Sequence, residues 1–153
     1  MPRQSRGFTL LELMVVIALV GVVLGMVSLT IGNSPGRVAR QEAGQLLQLV
    51  QQLREQAVIE GREYGVRIQR DEYRVLRLEH EGWQPTGTAR RLPPDLYLQL
   101  EQEGQRLNLD GTVPQLLMLS NDEVSAFALY FMSAEQAWLS LVSDGAGEPW
   151  IEG

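Results

Sequence analysis

The sequence predicts an α+β protein: an apolar N-terminal helix, then one long amphipathic helix packed on antiparallel β-sheets. Three observations carry this. From Phe8 to Ile31, 24 consecutive residues contain a single charged side chain, Glu12, and a helix of that length is enough to cross a bilayer. From Arg37 to Glu60 the apolar residues recur at helical spacing, and beyond Gly61 the period drops to two. Of the 153 residues, the part beyond the apolar run suits one domain with a modest core.

Arg3 and Arg6 precede Gly7, and the apolar run begins at Phe8. A secretory signal peptide would have a shorter apolar stretch closed by small residues at a cleavage site, and none follows here. By the positive-inside rule the basic end stays cytoplasmic and the remainder is exported. A plain single-pass anchor accounts for everything except Glu12, because a carboxylate inside a membrane span costs on the order of 2.5–3.5 kcal/mol on insertion scales and usually marks a functional partner. Were the chain cut between Gly7 and Phe8, the new α-amino group would sit about one helical turn from Glu12, and a neighbouring subunit's amine could neutralise the carboxylate. Ala18, Gly21, Gly25, Ser28 and Gly32 form a stripe of small residues along the same helix. Such stripes let helix backbones approach closely in lipid. At 100° per residue, Gly21 lies half a turn round from Glu12, so the two would face different neighbours. Glycine is also generally frequent in membrane helices, and the sequence leaves both readings of the stripe open.

Asn33-Ser34-Pro35-Gly36 breaks the run, and Ser34 and Pro35 suit the N-cap and first position of a new helix. Over 37–60 that helix places Val38, Leu46, Leu49, Val50, Leu53 and Ala57 on one stripe, widened by Leu47, Val58 and Ile59. Glutamines and charges fill the other face, and Gly61 stands where a terminating glycine is expected. Tyr64, Val66 and Ile68 alternate with polar residues as a strand. Arg70-Asp71-Glu72 links it to a second strand, Tyr73 to Glu79, whose apolar phase slips and predicts a bulge. Residues 82–94, with three prolines and two glycines, read as a loop with Trp83 beneath it. Leu96 to Leu100, Leu107 and Leu109, Leu116 to Leu119, Ala126 to Met132 and Ala137 to Val142 read as further strands. Asp144-Gly145 reads as a turn before a short end at Trp150 and Ile151.

Composition excludes several function classes. There is no cysteine, hence no disulfide scaffold, thiolate metal site or cysteine nucleophile. One histidine, His80, argues against a histidine metal centre or relay, and Glu79-His80-Glu81 would put the glutamates and the histidine on opposite strand faces. No nucleophile elbow, phosphate-binding loop or zinc-protease motif occurs. The net charge is −6, and all 13 basic residues are arginines. Residues 92–153 hold 10 acids and one arginine, Arg106, the wrong sign for tracking phosphates. The arginines of 37–91 are interleaved with acids, which reads as a mixed surface. Neither an enzyme nor a nucleic-acid-binding protein is expected, and no cofactor or metal. Asp144, Glu148 and nearby carbonyls are oxygen ligands of the kind calcium takes, but a bare Asp-Gly turn is the reading adopted.

Gly7-Phe8-Thr9-Leu10-Leu11-Glu12-Leu13-Met14-Val15-Val16 resembles the class III signal of type IV pilins and type II secretion pseudopilins. The resemblance implies a leader, 1–7, removed after Gly7 by prepilin peptidase, N-methylation of Phe8, and a role for Glu12 in docking into a filament. It also implies a transmembrane and filament-packing helix at 8–32 and a periplasmic domain at 33–153, with its helix at 37–60 and its sheet region at 62–153. Ala57-Val58, Glu63-Tyr64-Gly65-Val66 with Tyr73 and Val75, Leu119 to Phe127, and Leu141-Val142-Ser143-Asp144-Gly145 resemble segments of the H-type minor pseudopilins. The pattern departs at Asn121-Asp122, which stands where a glycine is expected before the glutamate. The resemblance implies a non-enzymatic subunit near the pseudopilus tip that supports export of folded exoproteins. Its implied partners are the I, J and K-type minor pseudopilins, the major G-type pseudopilin, prepilin peptidase, the inner-membrane assembly platform and inner-membrane lipid. A minor pilin of a type IV pilus or DNA-uptake filament is the alternative.

Overall fold

The computed structural model describes residues 9–29 and 34–153, with the side chains of the first stretch described through residue 24. It comprises two units, 1–34 and 35–153. In the first, α1 (Leu10–Leu29) is a 20-residue helix. Apart from Glu12, its described large side chains are apolar and exposed, Leu10, Ile17 and Leu24 among them. A helix of this composition has no polar face to turn to water. No helix among the described residues is long and apolar enough to cross a membrane; the expected segment 8–32 extends past them at both ends.

The second unit begins with α2 (Pro35–Glu60), 26 residues with Pro35 at the first helical position. The helix thus starts two residues before Arg37, since proline's fixed φ and missing N–H suit a first turn. Ala39, Ala43, Leu46, Val50, Leu53 and Ala57 are buried on one stripe, while Val58 and Ile59, expected to widen it, are exposed. At the end, Gly61 has a φ of 61°, and the Arg62 N–H donates to the Ala57 carbonyl at 3.1 Å. That bond satisfies a last-turn carbonyl, as in a Schellman motif.

Ten strands follow in two antiparallel five-stranded sheets. The first contains β1 (Tyr64–Ile68), β2 (Glu72–Glu79), β3 (Gly82–Pro85), β4 (Arg90–Arg91) and β7 (Leu116–Met118), in the order β3-β2-β1-β7 with β4 also on β2. The second contains β5 (Tyr97–Gln102), β6 (Gln105–Arg106), β8 (Phe127–Ser133), β9 (Gln136–Ser143) and β10 (Trp150–Glu152), in the order β10-β9-β8-β5-β6. Helix α2 packs on β1 and β7 of one sheet and on β8, β9 and β10 of the other. One continuous core results, with Leu46, Val66, Ile68, Leu98, Leu116 and Phe131 fully enclosed.

Three expectations are corrected. The 82–94 loop carries two short strands, because Trp83 pairs across from Leu78 and Pro85 lies on an edge strand where no N–H is required. The β1–β2 ladder is regular, Tyr64 opposite Arg77 through Ile68 opposite Tyr73, so β2 has no bulge. Its apolar phase changes because the second face is enclosed locally: Tyr73 lies in the core, while Leu76, 4% exposed, points the other way opposite Gly65. The irregularity sits between Phe131 and Met132, where β8 pairs with β9. Finally, Leu107 and Leu109 form no strand; they pack on the core from a loop, and the Leu107 N–H donates to the Leu100 carbonyl at 2.9 Å.

Candidate functional site

The start of α1 is the first candidate. Gly7 and Phe8 lie outside the described residues. Thr9 immediately precedes the helix, and its Oγ1 accepts the Glu12 N–H at 3.3 Å while its carbonyl accepts the Leu13 N–H at 3.2 Å. Thr9 is therefore the N-cap, and Glu12 occupies the third helical position, as in a Thr-x-x-Glu capping box. The sequence shows this spacing ahead of the apolar run, and the cap was readable from it. Glu12 is exposed in the first turn, where the helix dipole favours a negative charge. Ala18 and Gly21 are exposed further along, and no atom lies within 4 Å of where a Cβ on Gly21 would stand. Gly25 and Ser28 belong to the same helix, with side-chain positions outside the described set, and Gly32 lies outside the described residues.

The second candidate is the junction of α2 with β1. The buried Tyr64 donates its hydroxyl to Glu60 Oε2 at 2.6 Å. This bond, and a second from Gln56, hold the Glu60 carboxyl below its ordinary range, while burial raises the Tyr64 hydroxyl. Next to it, a Cβ on Gly65 would come within 2.5 Å of Pro114 Cβ, so a bare backbone is needed for that loop to lie on β1. Gly65→Ala forces the loop away, and overpacking of this kind costs about 1–3 kcal/mol. Thermal unfolding of the full chain should register the loss.

Ion pairs tie the remaining loops to α2. Glu42, 5% exposed on the buried face of the helix, accepts from Arg90 Nη2 at 3.2 Å, anchoring β4; the amphipathic pattern gave no sign of it. Arg54 donates to both carboxylate oxygens of Asp122, at 2.7 and 3.1 Å, and to the Gly147 carbonyl at 3.5 Å. Asp122 has a φ of 73°. It therefore adopts the left-handed backbone a glycine would take at little cost, and the Arg54 fork holds it there. Asn121 Oδ1 accepts the Glu123 N–H at 3.2 Å. Asp122 thus takes up the backbone that the expected glycine would adopt. Asp144 Oδ1 accepts the Ala146 and Gly147 N–H groups at 2.9 and 3.0 Å, which lowers its pKa and makes it an Asx turn. Glu79 at the end of β2 pairs with Arg62 and Arg77. Among the described residues no three potential ligands group around a metal position.

An apolar helix with one carboxylate in its first turn, ahead of an amphipathic helix on two antiparallel sheets, defines the type IV pilin-like class of subunit. Residues 2–28 match the family described as the prokaryotic N-terminal methylation motif. The chain is 40% identical to type II secretion system protein H of Pseudomonas aeruginosa, over 98% of this chain and 97% of that protein. It is 31% identical to the protein of the same name from Aeromonas hydrophila, over 83% and 80%. The solved structure of the minor pseudopilin EpsH from the type II secretion system of Vibrio cholerae superposes with a TM-score of 0.67 at 25% identity, covering 76% of this chain and 96% of that one. The chain belongs to the type II secretion system protein H family and is a minor pseudopilin of that system.

Proposed function

We propose that this chain is a non-enzymatic filament subunit anchored by a single pass in the bacterial inner membrane, with residues 33–153 in the periplasm. Prepilin peptidase removes residues 1–7 after Gly7, and Phe8 becomes the methylated N-terminus. In lipid the apolar side chains of the helix are well accommodated, and the acid in its first turn, Glu12, is the group that favours leaving for a partner. Glu12 then meets the α-amino group of a neighbouring subunit at the inner-membrane assembly platform, and the helix leaves lipid for the bundle of helices at the filament centre. The observation that supports this most directly is a helix whose described side chains are apolar and exposed apart from one acid, Glu12, in its first turn. Its neighbours are the I, J and K-type minor pseudopilins near the tip and the major G-type subunit below, and the assembled pseudopilus supports export of folded exoproteins. Nothing in this reading requires a cofactor or nucleic acid.

Exoprotein secretion and twitching motility, measured side by side in a strain lacking the chain, test the reading. Lost secretion with normal motility is expected. Normal secretion with lost motility would move the chain to a type IV pilus.

The small stripe gives a second, independent check. Ala18, Gly21, Gly25 and Ser28 are the residues through which a neighbouring helix approaches closely. Gly21→Leu combined with Gly25→Leu should leave membrane insertion intact and reduce filament incorporation several-fold, read by comparing membrane and filament fractions. Unchanged incorporation would remove the stripe from the packing scheme.

A further inference from the structure

The outward face of the first sheet carries an arrangement that the fold alone does not explain. Arg67 of β1 lies directly opposite Arg74 of β2. Val66, Ile68 and Tyr73 beside them are buried in the core, so alternation along the strands turns both arginines to the opposite face. Both Nε atoms are buried without a hydrogen-bond partner. The Arg67 guanidinium has one long contact, Nη2 to Gln69 Oε1 at 3.5 Å, and Arg74 has none among the described residues. Arg54, Arg62, Arg77, Arg90 and Arg91, by contrast, each meet a carboxylate of their own chain.

Two like charges directly opposite on an antiparallel pair oppose folding, and a buried donor without an acceptor opposes it further. Carboxylates supplied from outside would cancel the repulsion, because the terminal nitrogens of each guanidinium offer a planar fork that grips a carboxylate with two bonds. The surroundings are those of a contact surface. Leu78, 36% exposed, stands across from the half-buried Trp83, and register puts this pair on the same face as the two arginines. Arginine and tryptophan are the residues most enriched at the energetic centres of protein interfaces.

We propose that this face, centred on Arg67 and Arg74 and flanked by Leu78 and Trp83, docks an acidic segment of a different subunit in the same filament, two of whose carboxylates enter the arginine pair. The inference rests on the filament reading above and adds the surface and the chemistry of the neighbour that meets it.

The test uses the full chain in secreting cells, with the photoreactive amino acid p-benzoylphenylalanine in place of Leu78. Irradiation should join it to another subunit of the filament, at a peptide bearing at least two aspartates or glutamates. Arg67→Glu combined with Arg74→Glu should reduce that product at least tenfold, and reversing the acids of the joined peptide to arginine should restore it. Arg67→Gln with Arg74→Gln removes the mutual repulsion, so it should raise the thermal midpoint of the chain while still lowering the yield. A merely structural role for the arginines would move both readouts in one direction. Crosslinking to lipid or to a second copy of this chain overturns the proposal, as does a yield unaffected by the glutamate pair. If the wild-type chain enters the filament fraction and position 78 joins nothing, the docking face falls alone. If the wild-type chain never enters that fraction, the filament reading falls with it.

Discussion

Glu12→Leu should abolish entry into the filament while leaving membrane insertion and the folding of residues 35–153 unchanged. Leucine is favoured over a carboxylate by about 3–4 kcal/mol at the centre of a span and by less near its end, where Glu12 lies, so the variant should insert at least as well as the original. What it loses is a charge that a neighbour's amine can meet in low dielectric. Glu12 also sits at the third position of a helix capped by Thr9, which offers a competing, purely local explanation. Magnitudes separate the two. A first-turn acid is worth about 0.3–1 kcal/mol to a helix at an exposed position, too little to unwind twenty residues supported by lipid. Glu12→Gln sharpens the test, since it keeps size and hydrogen-bonding capacity and removes only the charge. Both variants should accumulate in the membrane and be missing from the filament fraction. Incorporation of either at the wild-type level would end the assigned role of Glu12.

The architecture was legible where one physical constraint acted alone. The apolar run, the helix ended by Gly61 and the alternation of Tyr64, Val66 and Ile68 each follow from a single periodicity. Reading failed where two constraints met in one segment. The changed phase at Leu76 looks like a bulge only if one sheet face is assumed buried, whereas Pro114 and Gly65 create a second, smaller enclosed surface on the other face. Residues 82–94 look like a loop because of their three prolines and two glycines, yet an edge strand tolerates proline, and β3 pairs with β2 from Gly82 opposite Glu79 to Pro85 opposite Leu76.

The candidate sites divide in the same way. Glu12 stood out because a charge in an apolar run is costly wherever the helix goes. Glu42 on α2 did not, since a glutamate on an amphipathic helix reads as solvent-facing until Arg90 is brought to it from 48 residues away. The bond between Arg54 and Asp122 spans 68 residues and is equally invisible to local spacing. The pairing of Arg67 with Arg74 depends on the register of two strands, which no periodicity sets.

Phe131→Ala should cost about 3–5 kcal/mol, the usual range for removing an aromatic ring from a packed core. Phe131 has no exposed surface and is the largest fully buried side chain among the described residues. It stands between Leu98 and Leu139 of the flanking strands, with the ladder irregularity immediately after it. A core that must also fit such an irregularity has little freedom to collapse into the space left behind, which places the cost toward the upper end. Against a total stability of about 5–15 kcal/mol, the loss should lower the thermal midpoint by roughly 10–20 °C for a unit of this size. The result bears on function as well as packing. Phe131→Ala should insert and mature normally, because its N-terminal helix is untouched, yet fail at the stage where a folded domain must meet its neighbours. Glu12→Leu should show the reverse, with an unchanged midpoint and no filament entry. Two variants that both stop secretion would then be separated by one melting curve, with a lowered midpoint only for Phe131→Ala. An unshifted midpoint for Phe131→Ala would contradict the placement of its ring at the centre of the core.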